Sequence, residues 1–160
     1  MKYTLFILIF VLTSFSYTAN AQDSTVLKSK KMPNTENDWK KKLSEKDFNI
    51  LRKKGTERPY TGIYNTHFEN GIYCCKGCGE PLFKSNHKFD SHCGWPAFDD
   101  AITGKVTYTK DISHGMIRTE ITCTKCGGHL GHVFDDGPQK TTGKRYCVNS
   151  ASLTFEKQKK

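Results

Sequence analysis

Seven cysteines and six histidines stand out in a chain of 160 residues. Four of the cysteines form two knuckles, Cys75-Lys76-Gly77-Cys78 and Cys123-Thr124-Lys125-Cys126, with 44 residues between them. Two such pairs supply the four thiolates of a tetrahedral zinc site, and Gly77, Gly79, Gly127 and Gly128 let the backbone turn tightly around an ion. The gap exceeds that of a compact zinc finger, so the ion would clamp two distant hairpins. Two disulfides are the alternative in an oxidising compartment. A redox-active Cys-x-x-Cys is a third reading, but such motifs usually open a helix and none is expected here. The paired knuckles favour structural zinc. Cys74 competes with Cys75 for the register, and the matching second knuckle selects Cys75.

Cys74, Cys93 and Cys147 remain. Arg145 and Asn149 stand two residues either side of Cys147, so in a strand the three side chains share one face. A guanidinium beside a thiol lowers its pKa and raises the thiolate fraction, as a nucleophile requires. A buried strand cysteine with incidental polar neighbours is the bland alternative. In His129-Leu130-Gly131-His132-Val133-Phe134 the two histidines can converge on one pocket if Gly131 bends the chain, leaving Leu130 and Phe134 to pack. Asp135 and Asp136 follow at a turn and offer carboxylates to orient an imidazole. The histidines could instead serve the adjacent metal, although four thiolates already complete that set. Cys93-Gly94-Trp95-Pro96-Ala97-Phe98 sets a thiol beside an aromatic wall suited to a small apolar group such as a methyl.

These groups need elements to hold them. Residues 38–54 carry Trp39, Leu43, Phe48, Ile50 and Leu51 among charges, which predicts one or two short amphipathic helices. Ser44 with Asp47 reads as a cap, Gly55 as the stop, and Pro59 bars resumption. Beyond residue 60, short apolar runs punctuated by glycine predict strands at 71–75, 81–83, 106–111, 116–122, 132–134, 145–148 and 153–155. Such strands favour a small all-β domain, a sandwich or partly closed barrel, and there is no βαβ rhythm.

Residues 1–21 read as a cleavable secretory signal: basic Lys2, an apolar run from Leu5 to Leu12, and Ala19-Asn20-Ala21 as the cleavage site. The run is too short to span the ~30 Å hydrocarbon layer comfortably. Residues 22–36 read as a linker, 37–156 as the folded domain, and 157–160 as a basic tail. The formal net charge is +9, with lysines crowding both ends. Exported proteins rarely meet nucleic acid, so this charge reads as solvated termini rather than a binding surface.

With these motifs in place, the chain resembles the methionine sulfoxide reductase B family. The likeness runs from about Trp39 to Phe155, through both knuckles, Gly94-Trp95-Pro96, Gly115-Met116-x-Arg118-Thr119-Glu120, the His129–Phe134 run and Arg145-Tyr146-Cys147-Val148-Asn149-Ser150. The resemblance implies an all-β fold of two antiparallel sheets with short N-terminal helices and a structural zinc. It implies Cys147 as nucleophile and Cys93 as resolving cysteine. It places His129, His132, Asp136, Arg145 and Asn149 in the polar network, Trp95 and Phe134 against the substrate, and zinc on Cys75, Cys78, Cys123 and Cys126. Ala97 stands where serine is common, and Cys74 has no family role. The implied reaction reduces methionine-R-sulfoxide, free or in proteins. An imidazolium from His129 or His132 protonates the sulfoxide oxygen, and Cys147 becomes a sulfenic acid resolved by Cys93 as a disulfide. A thioredoxin-like donor then reduces it. The expected setting is the bacterial periplasm, with a monomeric enzyme that binds no nucleic acid. A cysteine hydrolase would leave Cys93 idle, and a zinc-ribbon nucleic-acid module would leave the Cys147 cluster unused.

Overall fold

The computed structural model describes residues 32–158. The expected signal, most of the linker and the end of the basic tail lie outside these residues. Two short helices come first, α1 (Glu36–Lys42) and α2 (Glu45–Lys53). Thr35 and Asp38 form a reciprocal capping box for α1, and the Ser44 hydroxyl accepts the Asp47 N–H to open α2. The stop differs from expectation. Lys54, not Gly55, takes the left-handed cap at φ 57. A non-glycine residue there costs roughly 1–2 kcal/mol, offset because the turn brings the Lys54 ammonium to Glu120 Oε2 at 2.7 Å.

Nine strands follow among the described residues: β1 (Gly71–Cys75), β2 (Pro81–Lys84), β3 (Lys88–Phe89), β4 (Ala97–Phe98), β5 (Val106–Asp111), β6 (Arg118–Cys123), β7 (His129–Phe134), β8 (Arg145–Val148) and β9 (Leu153–Lys157). They form a three-stranded sheet, β2-β1-β9, and a six-stranded sheet, β3-β4-β8-β7-β6-β5. Every pairing among them is antiparallel. The fold class is therefore the expected one. The core joins both sheets and α2: Tyr73, Leu82 and Leu153 from the small sheet meet Phe98, Ile121, Leu130 and Val148 from the large one, with Leu51 of α2. The Phe83 and Phe98 rings stack at 4.4 Å, a contact worth about 0.5–1.5 kcal/mol beyond its buried area. Among the described residues, no helix is long and apolar enough to cross a membrane.

Two-residue β3 and β4 were too short to leave a periodic signal. β6 begins at Arg118 rather than Met116, because Met116 and Ile117 sit exposed beside a turn. β7 begins at His129, with Gly131 inside it. Gly131 lies within the strand at φ 154, and a Cβ there would lie 2.0 Å from the Cys147 carbonyl oxygen. Glycine is thus required for β7 and β8 to approach.

Candidate active site

The six-stranded sheet sets the site by register. Cys147 of β8 is flanked by Ala97 of β4 and His132 of β7, and His132 is paired in turn with Glu120 of β6. The β6–β7 register slips, Ile121 facing Gly131 but Thr122 facing His129. The extra residue, Leu130, is a bulge that restores His129 and His132 to one side of the strand. Their rings meet edge to face with centroids 5.6 Å apart. The two imidazoles are thus brought together by a bulge next to Gly131, but His132 and not His129 lines the cleft.

The sulfurs of Cys93 and Cys147 lie 3.4 Å apart, 54 residues separated in sequence. They adjoin a cleft of about 130 Å³ whose lining includes Trp95, Phe134, His132, Arg118, Cys147 and Asn149. Cys93 shares a hydrogen bond with Cys147, accepts one from the Ser91 hydroxyl at 3.0 Å, and reaches the Trp95 carbonyl at 3.5 Å. The bond from Cys147 is the main reason Cys93 is lowered to about 5, against the cost of burial. Cys147 moves the other way, raised by its bond to Cys93 and then by burial. The expectation that Arg145 activates Cys147 is corrected to this extent. The guanidinium pulls Cys147 downward only weakly, because it forms a two-pronged pair with Asp136 at 2.8 Å on both prongs and lies 4.5 Å over the Phe134 ring. The contact between the two sulfurs thus favours ionisation of Cys93 over that of Cys147.

The carboxylates that orient the imidazoles are not those expected from sequence. Asp136 holds Arg145 and Asp135 pairs with Lys144. His132 Nε2 donates instead to Asp111 Oδ2 at 2.8 Å, which also accepts from Arg118 at 2.7 Å. Hydrogen bonds from Ser113, and then from His132 and Arg118, hold Asp111 well below the ordinary carboxylate range. His129 Nδ1 donates to Glu120 Oε1 at 2.8 Å. Burial opposes charge on Glu120, but bonds from Lys54 and His129 outweigh it and keep the group lowered. Burial lowers His129, which is 2% exposed and has its Nε2 unpartnered. His132 lines the cleft; His129 lies beneath it. Nothing in the sequence pattern marked Asp111, and Glu120 was visible only as part of a motif.

Glu57 was missed altogether. Its carboxylate accepts the backbone N–H groups of Ser150 at 2.5 Å and Ala151 at 3.1 Å. Its own N–H donates to Asn149 Oδ1 at 3.0 Å, and its carbonyl accepts Trp95 Nε1 at 3.1 Å. One residue thus ties Trp95, Asn149 and the turn after β8 together. Asn149 Nδ2 donates to the Leu130 carbonyl at the bulge, at 3.1 Å, so both ends of this amide are taken up by the scaffold. Glu57→Ala strands two buried N–H donors, so a loss of about 2–4 kcal/mol of stability, seen as a lower urea midpoint, is expected. An unchanged midpoint would remove this assignment.

The four knuckle cysteines gather where β1 and β6 end, their sulfurs all within 4.8 Å of one another. Cys75 with Cys126, and Cys78 with Cys123, are 3.6 Å apart. A disulfide spans about 2.05 Å, whereas four sulfurs held at about 2.3 Å around one ion stand about 3.8 Å apart. The two turns match: Gly79 N–H donates to the Cys75 carbonyl at 2.7 Å and Gly127 N–H to that of Cys123 at 2.8 Å, both glycines left-handed. Mutual hydrogen bonding raises Cys75 and Cys126 and lowers Cys78 and Cys123. The thiols alone therefore ionise unevenly, and a divalent cation is what would hold all four as thiolates. These residues can hold a metal. Cys74 is buried on β1, raised to about 11 by desolvation, and is not among the four.

Residues 43–157 match the model of the SelR domain. Curated relatives bearing the name peptide methionine sulfoxide reductase MsrB include one from Chromohalobacter salexigens, 52% identical over 79% of this chain and 96% of the relative. A Hahella chejuensis relative is 54% identical over 78% and 90%. One from Agrobacterium fabrum is 51% identical over 81% and 96%. With matches of this length and identity over a site of this geometry, the chain belongs to the SelR-domain family, that of the methionine sulfoxide reductases B.

Proposed function

We propose that this protein reduces methionine-R-sulfoxide, free or within proteins, to methionine by thiol chemistry. One observation carries the reading: two thiols 3.4 Å apart beside a cleft walled by Trp95 and Phe134. The substrate's methyl rests against Trp95 and its sulfur lies over Cys147. For one epimer the oxygen then points toward His132, whose Nε2 is tied to Asp111 and whose Nδ1 is left for the substrate. Cys147 attacks the sulfoxide sulfur as His132 protonates the oxygen. Methionine leaves with its sulfur reduced by two electrons, and Cys147 becomes a sulfenic acid. Cys93 condenses with it, releasing water and leaving a disulfide that a thioredoxin-like dithiol reduces by exchange. Arg145 and Asp136 brace the cleft on the Phe134 side, while Asn149 holds the bulge that presents the histidines.

Cys75, Cys78, Cys123 and Cys126 would hold a zinc ion, which would supply a structural crosslink between the ends of β1 and β6. The leader at 1–21 directs export to the bacterial periplasm, where the monomer meets oxidised proteins and a thioredoxin-like donor. The test is turnover of each epimer of an amide-capped methionine sulfoxide with dithiothreitol. Product from the R epimer alone is expected. Equal turnover of both epimers, or none with folded protein, would overturn the reading.

A further inference from the structure

Ser91 precedes β4 and takes no part in the steps above. Its hydroxyl donates to Cys93 Sγ at 3.0 Å, while that sulfur also faces Cys147 Sγ at 3.4 Å. We propose that Ser91 is a catalytic residue of the resolving step, its hydroxyl holding Cys93 as the thiolate that attacks the sulfenic acid. The inference rests on the reading of Cys147 as nucleophile and Cys93 as resolving thiol.

The reason is one of timing. In the resting pair, the bond with Cys147 is the largest influence lowering Cys93, followed by Ser91 and then by the Trp95 backbone and Arg145. The first step consumes the largest one, because in the sulfenic acid the Cys147 sulfur carries oxygen in place of hydrogen. Ser91 is the side-chain donor that persists, beside the Trp95 backbone, when Cys93 must be a nucleophile. The other charged groups facing Cys93 direct their hydrogen bonds elsewhere. Arg145 of β8 engages Asp136, and Lys88 of β3 donates to the Asn65 carbonyl. His92 pairs with Asp90 at 3.4 Å.

The turn carrying Ser91 is held from two sides. Asp90 accepts the His92 N–H at 2.9 Å, and His92 takes a left-handed φ of 56. Tyr60 clamps the turn through its hydroxyl to the His92 carbonyl and its N–H to the Gly94 carbonyl, both at 2.7 Å. The hydroxyl thus approaches the sulfur along a fixed line, whatever state Cys147 is in.

The step balances without any outside oxidant. The Cys93 thiolate attacks the sulfenyl sulfur, an S–S bond forms and the S–O bond breaks. The departing hydroxide takes up the proton that Cys93 released on ionising and leaves as water. The Cys93 sulfur is oxidised and the Cys147 sulfur is reduced. Ser91 keeps its proton throughout, as a hydrogen-bond donor.

The test is a single turnover of the reduced, metal-containing protein with one equivalent of capped methionine-R-sulfoxide, following methionine and free thiols together. In Ser91→Ala, the rate of thiol loss relative to methionine formation is expected to fall on the order of tenfold at neutral pH. Raising the nucleophile's pKa moves the thiol-loss profile to alkaline pH, so the deficit closes near pH 9. Dimedone captures the accumulated sulfenic acid, and Ser91→Thr, which keeps the hydroxyl, restores the wild-type ratio. A merely structural role slows both signals together with no alkaline rescue, and that result overturns the proposal. So does thiol loss in Ser91→Ala at the wild-type rate and pH profile. Methionine formed by wild type without thiol loss would instead overturn Cys93 as the resolving thiol, and no methionine at all would overturn the function itself.

Discussion

Cys147→Ser is expected to form no measurable methionine, a fall on the order of a thousandfold or more, with circular dichroism unchanged. The size follows from the chemistry. The sulfoxide oxygen must end on an atom that can be oxidised and later reduced by a thiol, and an alcohol oxygen cannot play that part. Cys93→Ser is the informative partner. It should still release one equivalent of methionine and turn over with dithiothreitol, but stall with a thioredoxin-like donor. The resting geometry makes the contrast sharp, because Cys93 is the sulfur lowered to about 5 and Cys147 is the one raised. Since a raised pKa means the thiolate fraction grows with pH, the first step of the wild-type enzyme should accelerate on the alkaline side. Methionine formation that survives in Cys147→Ser and disappears in Cys93→Ser would transfer the nucleophile to Cys93.

Removing the metal is the second large effect. Cys126→Ala, or stripping wild type with a strong chelator under reducing conditions, is expected to abolish cooperative thermal unfolding and the near-ultraviolet dichroism. Structural zinc in small domains contributes about 10–16 kcal/mol of apparent binding energy, as large as the about 5–15 kcal/mol that separates folded from unfolded domains. The knuckles sit at the ends of β1 and β6, one in each sheet. The crosslink therefore closes the core on one side, and three remaining thiolates would be left facing one another. Metal analysis should find one zinc per chain in wild type and none in the variant. If the stripped protein melts within a few degrees of the loaded one, the cluster is not a structural metal site. Disulfides joining Cys75 to Cys126 and Cys78 to Cys123, the pairs 3.6 Å apart, would then be sought by non-reducing peptide mapping.

The residues legible in the sequence are those whose roles depend on type and short-range spacing. The paired knuckles announced a four-sulfur cluster because two Cys-x-x-Cys turns have few other uses. Ser44 and Asp47 announced the start of α2, since a hydroxyl three residues ahead of a backbone N–H satisfies it locally. The long strands were visible as short apolar runs punctuated by glycine. Lys54 was not, because its left-handed cap is stabilised by Glu120, which is 66 residues away. Asp136 was misread for a similar reason. Proximity in sequence suggested an imidazole partner, whereas a guanidinium on the neighbouring strand offers a carboxylate two parallel bonds.

By itself the sequence determined the class of fold, the four candidate metal ligands, the thiol at the centre of β8 and the aromatic wall beside Cys93. Those conclusions need only local periodicity and the chemistry of single side chains. Tertiary structure decided what sequence spacing cannot express: that Cys93 and Cys147 touch, that a bulge at Leu130 turns two histidines the same way, and that Asp111, Glu120 and Glu57 hold the site. Strand order and register set these contacts, and they follow from how two sheets bury one shared core rather than from any short run of residues.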